Sequence, residues 1–369
     1  MNDELLYAIA LTRILPYQFN IQQKLLDALG SATAVYEARN NLKEVCPEAS
    51  EHLAGIVSQM HNHLARAEQE IEFAQRNHIR ILTRDDVDYP ARLRDCQDAP
   101  ILIYYRGTCD LNSRHILSIV GTRKATEYGR SFCQRFLREL AAYFPDTIII
   151  SGLAYGIDIC AHRAALQNGL STIGVLAHGL DQIYPRMHRQ TAIEMLKQGG
   201  LLTEYMSQST AEKINFAKRN RIVAGMSEAT LVVESAEKGG SLITVDCAND
   251  YGRYVFAVPG RISDPASKGC NKIIHENKAA LMHTVEDLLT DIKWGTKEDK
   301  KKPIQRELFP ELSPDEMVVF NALQECDGKQ LNQLTVETNI PVVRLSNLLF
   351  TMEMKGIVRL LSGGTYRLV

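Results

Sequence analysis

Two stretches of the chain concentrate side chains that hold phosphate. In the first, the apolar run Ile116–Val120 gives way to Gly121-Thr122-Arg123-Lys124, and a helical pattern follows. Glycine lets the backbone approach a ligand, free amides at the next helix start attract an anion, and Arg123 adds a bidentate grip on phosphate oxygens. The G-x-G-x-x-G of a dinucleotide-binding turn is missing, and two cations stand in its place. Alone, such a stretch is better read as a tight turn with two solvated cations. The second stretch is Lys213-Ile214-Asn215-Phe216-Ala217-Lys218-Arg219-Asn220-Arg221, four cations and no acid around one aromatic. Cations for phosphates and an aromatic face for a base are the composition of single-strand recognition. The competing readings are a core Phe216 and a solvated helix face. Its position before an apolar strand places it in the loop zone of a sheet.

Other loops repeat the theme. Ser151-Gly152-Leu153-Ala154-Tyr155-Gly156-Ile157-Asp158 again passes from an apolar run through Ser-Gly into a helical pattern. Asp158 is expected to cap that helix or hold a hydroxyl. With His162, one turn on, it forms a pair read as structural, because no nucleophile or third ligand stands beside it in sequence. Glu234 leads into Gly239-Gly240-Ser241 before another helix, the pattern of a phosphate nest. Val258-Pro259-Gly260 and Lys268-Gly269-Cys270-Asn271-Lys272 follow further strands. Several such ends converging on one sheet edge suit an extended polyanion better than a mononucleotide. No catalytic residue, metal or cofactor is expected.

The elements that must position these loops follow from periodicity. Residues 1–75 are all-helical, with Leu5, Leu6, Ile9, Ala10 and Ile14 at helical spacing and breaks at Pro16 and Gly30. Such a module touches DNA backbones or packs against protein. Ile79–Leu82 and Ile101–Gly107 mix strand and turn signals. From about residue 115, short apolar runs alternate with helical stretches: Ile116–Val120, Thr147–Ser151, Thr172–Ala177, Leu201–Tyr205, Thr230–Glu234, Tyr254–Val258 and Ala280–His283. That rhythm predicts an α/β domain over 76–294, a doubly wound, mostly parallel sheet covered on both faces. Ligands of such sheets bind beyond the carboxyl ends of the strands. Residues 295–312 are charged and proline-containing and read as a linker. In 313–369, Ser313-Pro314-Asp315-Glu316 opens a helix, two more helices follow, Gly356 stops the third, and two strands flank Ser362-Gly363-Gly364. Three helices and a hairpin predict a winged helix.

Composition restricts the partners. The 369 residues are 45% hydrophobic and 23% charged with net charge −2, so polyanion binding must come from local clusters rather than a global field. The eight cysteines, Cys46, Cys96, Cys109, Cys133, Cys160, Cys247, Cys270 and Cys326, form no C-x-x-C pair and read as buried thiols of a reducing compartment. The opening MNDELLYAIALTRILPYQF is acidic and has no small-residue cleavage site, and no apolar run approaches ~18 residues. A cytoplasmic location without a membrane span is expected.

The blocks IVGTRKATEYG, SGLAYGIDICAH, GVLAHGLDQIYPRMH, FAKRNRIVAG, GGSLIT and GRYVFAVPG with KGCNKII occur in fixed order between about residues 80 and 285. Together they resemble the DNA-processing protein A family (DprA, also called Smf), whose members often carry an N-terminal helical module and a C-terminal winged helix. The resemblance implies an extended Rossmann domain that binds single-stranded DNA, forms homodimers, and loads the recombinase RecA during natural transformation while displacing single-strand-binding protein. It implies DNA contacts at Gly121, Thr122, Arg123, Lys124, Ser151, Gly152, Lys213, Phe216, Arg219, Asn220, Arg221, Gly240 and Ser241. Two departures stand out. Tyr155 occupies a position that is basic in many members, so a stacking contact replaces a phosphate contact there or the contact is lost. Tyr205-Met206-Ser207-Gln208-Ser209 lacks the Pro and Gly usual after the glutamate.

Two other functions fit parts of the sequence. Gly239-Gly240-Ser241 with Thr244 faintly matches the loop of Rossmann-like enzymes that cleave nucleoside monophosphates at the N-glycosidic bond, but Asp246 falls off the catalytic position. A sequence-specific regulator would read bases with Val342–Leu349, where Arg344 and Asn347 are the only obvious readers, a poor set for the major groove.

Overall fold

The computed structural model describes residues 3–294, 312–324, 328–355, 357–361 and 365–368. All but the last residue of the expected linker at 295–312, Cys326, the helix stop at Gly356 and the turn Ser362–Gly364 lie outside the described residues. The chain divides into two compact units, Met1–Lys297 and Glu298–Val369.

The larger unit is built on a nine-stranded sheet. Its strands are β1 (Arg80–Thr83), β2 (Leu102–Gly107), β3 (Ile116–Val120), β4 (Ile148–Ser151), β5 (Ser171–Val175), β6 (Gly200–Thr203), β7 (Ala229–Val232), β8 (Tyr254–Ala257) and β9 (Ala280–Leu281). The order is β1-β2-β6-β5-β4-β3-β7-β8-β9. From β6 to β9 all neighbours are parallel, while β1–β2 and β2–β6 are antiparallel. This is the expected α/β class. The apolar runs are continuous because both faces are covered. In β3, Ile116 and Val120 enter one core with Ile222, Val223 and Val245. Leu117 and Ile119 enter the other with Phe132, Phe136 and Ile157. Ser118, fully buried between them, donates to Thr230 Oγ1 at 2.8 Å, which removes the penalty of burying a hydroxyl in mid-sheet.

The amino-terminal helices (Asp3–Ile14, Phe19–Leu29, Ala32–Glu37, Leu42–Val45, Glu51–Ser58 and Leu64–Arg76) do not stand apart from the sheet. Their core of Ile9, Leu11, Val35, Met60 and Ile71 continues into Leu102 and Tyr104 of β2 and Met206 beyond β6. One ion pair fastens the joint: Arg66 Nη1 lies 2.9 Å from Glu70, and Glu70 accepts the Ser207 amide at 2.8 Å.

The smaller unit has helices Pro314–Gln324, Leu331–Thr338 and Val342–Met354 and a three-stranded antiparallel sheet, β10 (Lys329–Gln330), β12 (Thr365–Leu368) and β11 (Val358–Leu361) in that order. Val319, Leu323, Leu334, Leu345, Leu349 and Met352 fill its core. Ser313 and Glu316 cap the first helix reciprocally, Ser313 Oγ accepting the Glu316 amide at 3.3 Å and Glu316 accepting the Ser313 amide at 2.8 Å.

Candidate functional site

The chain runs from β3 outward through β4 and β5 to β6, then returns to place β7 on the other side of β3. The strand order therefore reverses beside β3, the position where open α/β sheets hold ligands. A pocket of about 330 Å³ opens there. It is lined by Gly121, Thr122 and Arg123 after β3, Gly152, Ala154 and Asp158 after β4, Gly239, Gly240 and Ser241 after β7, and Lys213, Phe216, Arg219 and Asn220.

The run Lys213–Arg221 is not a loop. It forms the first turns of the helix Lys213–Met226. Residues at i, i+3 and i+7 share a helix face, so Lys213, Phe216 and Asn220 come to the pocket together. The Arg123 guanidinium lies 4.9 Å from the Phe216 ring centroid. Lys213 and Arg123 are exposed; Phe216 is partly buried. A second aromatic, Tyr184, stands 5.9 Å from Phe216, tilted by 59° and 48% exposed. Tyr184 was not among the sequence candidates, although Tyr-Pro in the loop after β5 marks an aromatic held out on a turn.

Arg219 plays a different part from its neighbours. It is 3% exposed, and Nη1 donates to the carbonyl of Gly152 at 2.7 Å and to that of Val175. It ties the ends of β4 and β5 together under the pocket. Asp158, also buried, accepts the amides of Gly152 (3.2 Å) and Ala154 (3.4 Å), holding the β4 loop closed. Burial raises the Asp158 carboxyl; Arg219 and these amides oppose it. Two glycines let the loops close this tightly. At Gly152 a Cβ would lie 2.6 Å from Arg219 Cζ, and Gly156 has φ 78° with its Cβ position 2.6 Å from the Arg123 carbonyl carbon.

Several expectations are revised. Arg221 turns away from the pocket: it pairs with buried Glu204, and its guanidinium lies 3.7 Å from the Phe19 ring centroid. Ser151 is fully buried and donates to the Ile119 carbonyl at 2.6 Å. Tyr155 is 42% exposed and meets His188 edge-on at 5.2 Å, outside the pocket wall, as is exposed Lys124. The β3 loop spends amides internally. The Thr122 amide donates to the Glu234 carbonyl at 2.7 Å, and the Glu234 carboxylate accepts the Thr126 amide at 2.9 Å. Thr126 caps the following helix. Glu234, noted in sequence only as a strand end, thus moors that loop to β7. The helix Ser241–Asp250 begins at the pocket without a side-chain cap, and its Leu242 and Ile243 amides donate to the Gly239 and Gly240 carbonyls at 3.1 and 3.3 Å. Asp246, the acid weighed for glycosidic cleavage, lies outside the pocket wall and bonds Lys278 at 3.0 Å.

Asp158 and His162 do not bond one another. His162 is fully buried and shares a hydrogen bond with Thr172 Oγ1 at 2.6 Å. Burial, with His188 and Arg219 nearby, lowers its pKa to about 3, and burial also lowers His178 and His188. A base depressed on folding stabilises above its unfolded pKa and loses that contribution as the unfolded chain takes up protons below it. Stability is therefore expected to fall from about pH 6.5 downward, by up to ~1.4 kcal/mol per pH unit for each histidine. Protonation of Asp158 works in the opposite sense. Denaturant midpoints between pH 7 and 5 check this, and His162→Gln should flatten the fall by one proton's worth.

Among the described residues, Cys96, Cys109, Cys133 and Cys270 are buried, and burial raises their thiols, Cys96 to about 11 and Cys270 to about 12. Such thiols are poor nucleophiles. Among the described residues, no helix is long and apolar enough to cross a membrane.

Reversed strand order, a glycine-lined pocket at the reversal, and exposed cations beside an aromatic define a Rossmann-like α/β protein with a cationic pocket at its switch point. Comparison with known proteins makes the assignment particular. The model of the family described as DNA recombination-mediator protein A matches residues 80–293, and the chain belongs to that DNA-processing family. It is 35% identical over 309 residues to protein Smf of Escherichia coli, covering 80% of this chain and 78% of that one. The X-ray structure of DprA from Streptococcus pneumoniae superposes with a TM-score of 0.67 at 29% identity, covering 78% of this chain and 97% of that one. A Helicobacter pylori DprA structure described for its single-stranded DNA binding mode gives 0.52 at 27% identity, covering 58% and 95%.

Proposed function

We propose that this pocket binds single-stranded DNA without catalysis and that the protein delivers RecA recombinase onto the bound strand in the cytoplasm, displacing single-strand-binding protein. The observation that carries the reading is the joining of Arg123, Lys213 and Phe216 in one pocket wall. Arg123 and Lys213 hold phosphates beside the start of the helix Ser241–Asp250, and Phe216 stacks a base. Gly121, Thr122, Gly152, Asn220 and Gly240 shape the wall. Arg219 acts as a positioning residue, and Lys124 and Tyr155 meet the strand only beyond the pocket. The single-strand binding named for the Helicobacter pylori relative supports the reading. The family's description as a recombination mediator supports RecA delivery. We further propose a homodimer, which doubles the phosphate contacts on one strand. In the same reading, the amino-terminal helices are a contact or packing module and the smaller unit is a winged helix that docks a partner or adds an auxiliary DNA contact. Its Arg344 is paired with Asp315.

A salt-series binding assay tests the site. Log affinity against log salt should fall by roughly 0.7 per phosphate held. Arg123→Ala and Lys213→Ala should each flatten the slope by about one contact, and together by about two. Equal affinity for duplex and single strand at matched salt would refute the proposal.

A further inference from the structure

A second cavity, of about 400 Å³, lies between the amino-terminal helices and the carboxyl end of β6, and the function proposed above makes no use of it. Its size falls in the range of small-ligand sites. Its wall includes Arg13, Tyr17, Phe19, Arg66, Glu204 and Tyr205.

The two cavities share a partition. Tyr17 donates its hydroxyl proton to Asn215 Oδ1 at 2.6 Å, and the Tyr205 hydroxyl bonds the Asn215 carbonyl at 3.4 Å. Asn215 immediately precedes Phe216, which lines the first pocket. The opening turn of the helix Lys213–Met226 thus has the aromatics of one cavity on one side and Phe216 of the other beyond it. Both cavities sit at the same carboxyl edge of the sheet.

The lining chemistry matches one nucleotide. Arg66 is committed to Glu70 and to the Ser207 carbonyl at 2.7 Å. Arg13 is exposed and, among the described residues, engages only the His63 ring, at 3.0 Å, so it is the cation of this wall able to meet a phosphate. Tyr17 and Tyr205 supply aromatic surface for a base, beside Phe19, whose ring carries the Arg221 guanidinium at 3.7 Å. The Glu204 side chain is 6% exposed and paired with Arg221, so it forms the buried floor of the wall.

We infer that this cavity is a second nucleotide subsite, taking one base and its phosphate, either from the strand whose neighbouring base rests on Phe216 or from a free nucleoside monophosphate. The inference rests on reading the first pocket as a strand site. Held in this way, a strand would straddle the Asn215 turn, and affinity would step upward once an oligonucleotide is long enough to reach both cavities.

The experiment uses the full chain with oligo(dT) of increasing length. Wild type should gain about fivefold or more in affinity at the length that engages the second base. Arg13→Ala should lose most of that gain, with the shortest bound oligonucleotide as internal control. Oligonucleotides carrying 5-iododeoxyuridine at successive positions give an independent readout. One position should crosslink to Phe216 or Tyr184 and a neighbouring one to Tyr17, Phe19 or Tyr205. Protection of the latter residues by free dTMP, without a length step, would assign the cavity to a free nucleotide. Crosslinks confined to Phe216 and Tyr184, a length step intact in Arg13→Ala and no effect of dTMP would overturn the inference and leave the first site standing. If wild type binds no oligonucleotide, the proposed function fails and this subsite fails with it.

Discussion

Phe216→Ala is expected to weaken single-strand binding about 5- to 150-fold while leaving the salt dependence nearly unchanged. The magnitude follows from ~1–3 kcal/mol for a base stacked on an aromatic side chain. The unchanged slope follows from the neighbour. The Arg123 guanidinium rests on the Phe216 ring at 4.9 Å. Removing the ring frees that cation and takes no charge from the pocket, so phosphate neutralisation persists. Phe216→Trp should restore most of the affinity, because a larger π-face serves both the base and the guanidinium. Titration by fluorescence anisotropy at several salt concentrations separates the two quantities. A slope that drops in Phe216→Ala as far as in Lys213→Ala would show that the ring acts by placing charge and not by stacking.

The second large effect is on stability. Arg219→Ala is expected to cost about 3 kcal/mol or more, read as a lower denaturant midpoint. The guanidinium donates to the carbonyls of Gly152 and Val175 and is the strongest counter-charge to buried Asp158. Its loss leaves two strand-end acceptors unpaired and buried Asp158 with loop amides but no counter-charge, plus the space the side chain filled. Arg219→Lys should rescue little, since an ammonium lacks the planar fork and is more strongly hydrated. Arg221→Ala, in contrast, should leave the affinity of the shortest bound oligonucleotide, held by the first pocket alone, intact while destabilising through Glu204, because its partner lies on the far side of the helix from that pocket. A variant Arg219→Ala as stable as wild type would mean that the strand ends are held by something other than this side chain.

These two arginines mark the limit of what the chain discloses before folding. Apolar runs between residues 116 and 281 become strands where the sequence places them because a doubly covered parallel strand needs little else from its sequence. Gly121, Arg123, Gly152, Gly240 and Ser241 come together because strand order alone brings those loops to one edge. The roles inside Lys213–Arg221 were not legible. Once the run is helical, azimuth decides: Lys213 and Phe216 reach the pocket, Arg219 goes beneath it, and Arg221 crosses to Glu204. Composition cannot separate a cation offered to a ligand from one consumed by buried carbonyls and carboxylates. Likewise, Asp158 and His162 stand one turn apart, and yet each finds a nearer partner in a loop amide or a neighbouring strand. Tyr184 reaches Phe216 from a loop more than thirty positions upstream, a proximity that only the tertiary fold creates.

The turn at Asn215 is gripped from two directions, by Tyr17 of the amino-terminal segment and by Tyr205 beyond β6. It works as a mechanical joint: a tug on the leading helices reaches the aromatic ring through one peptide unit. A relative lacking those helices has to brace this turn by another route, and its substitute strut should sit opposite the position that Tyr17 fills here.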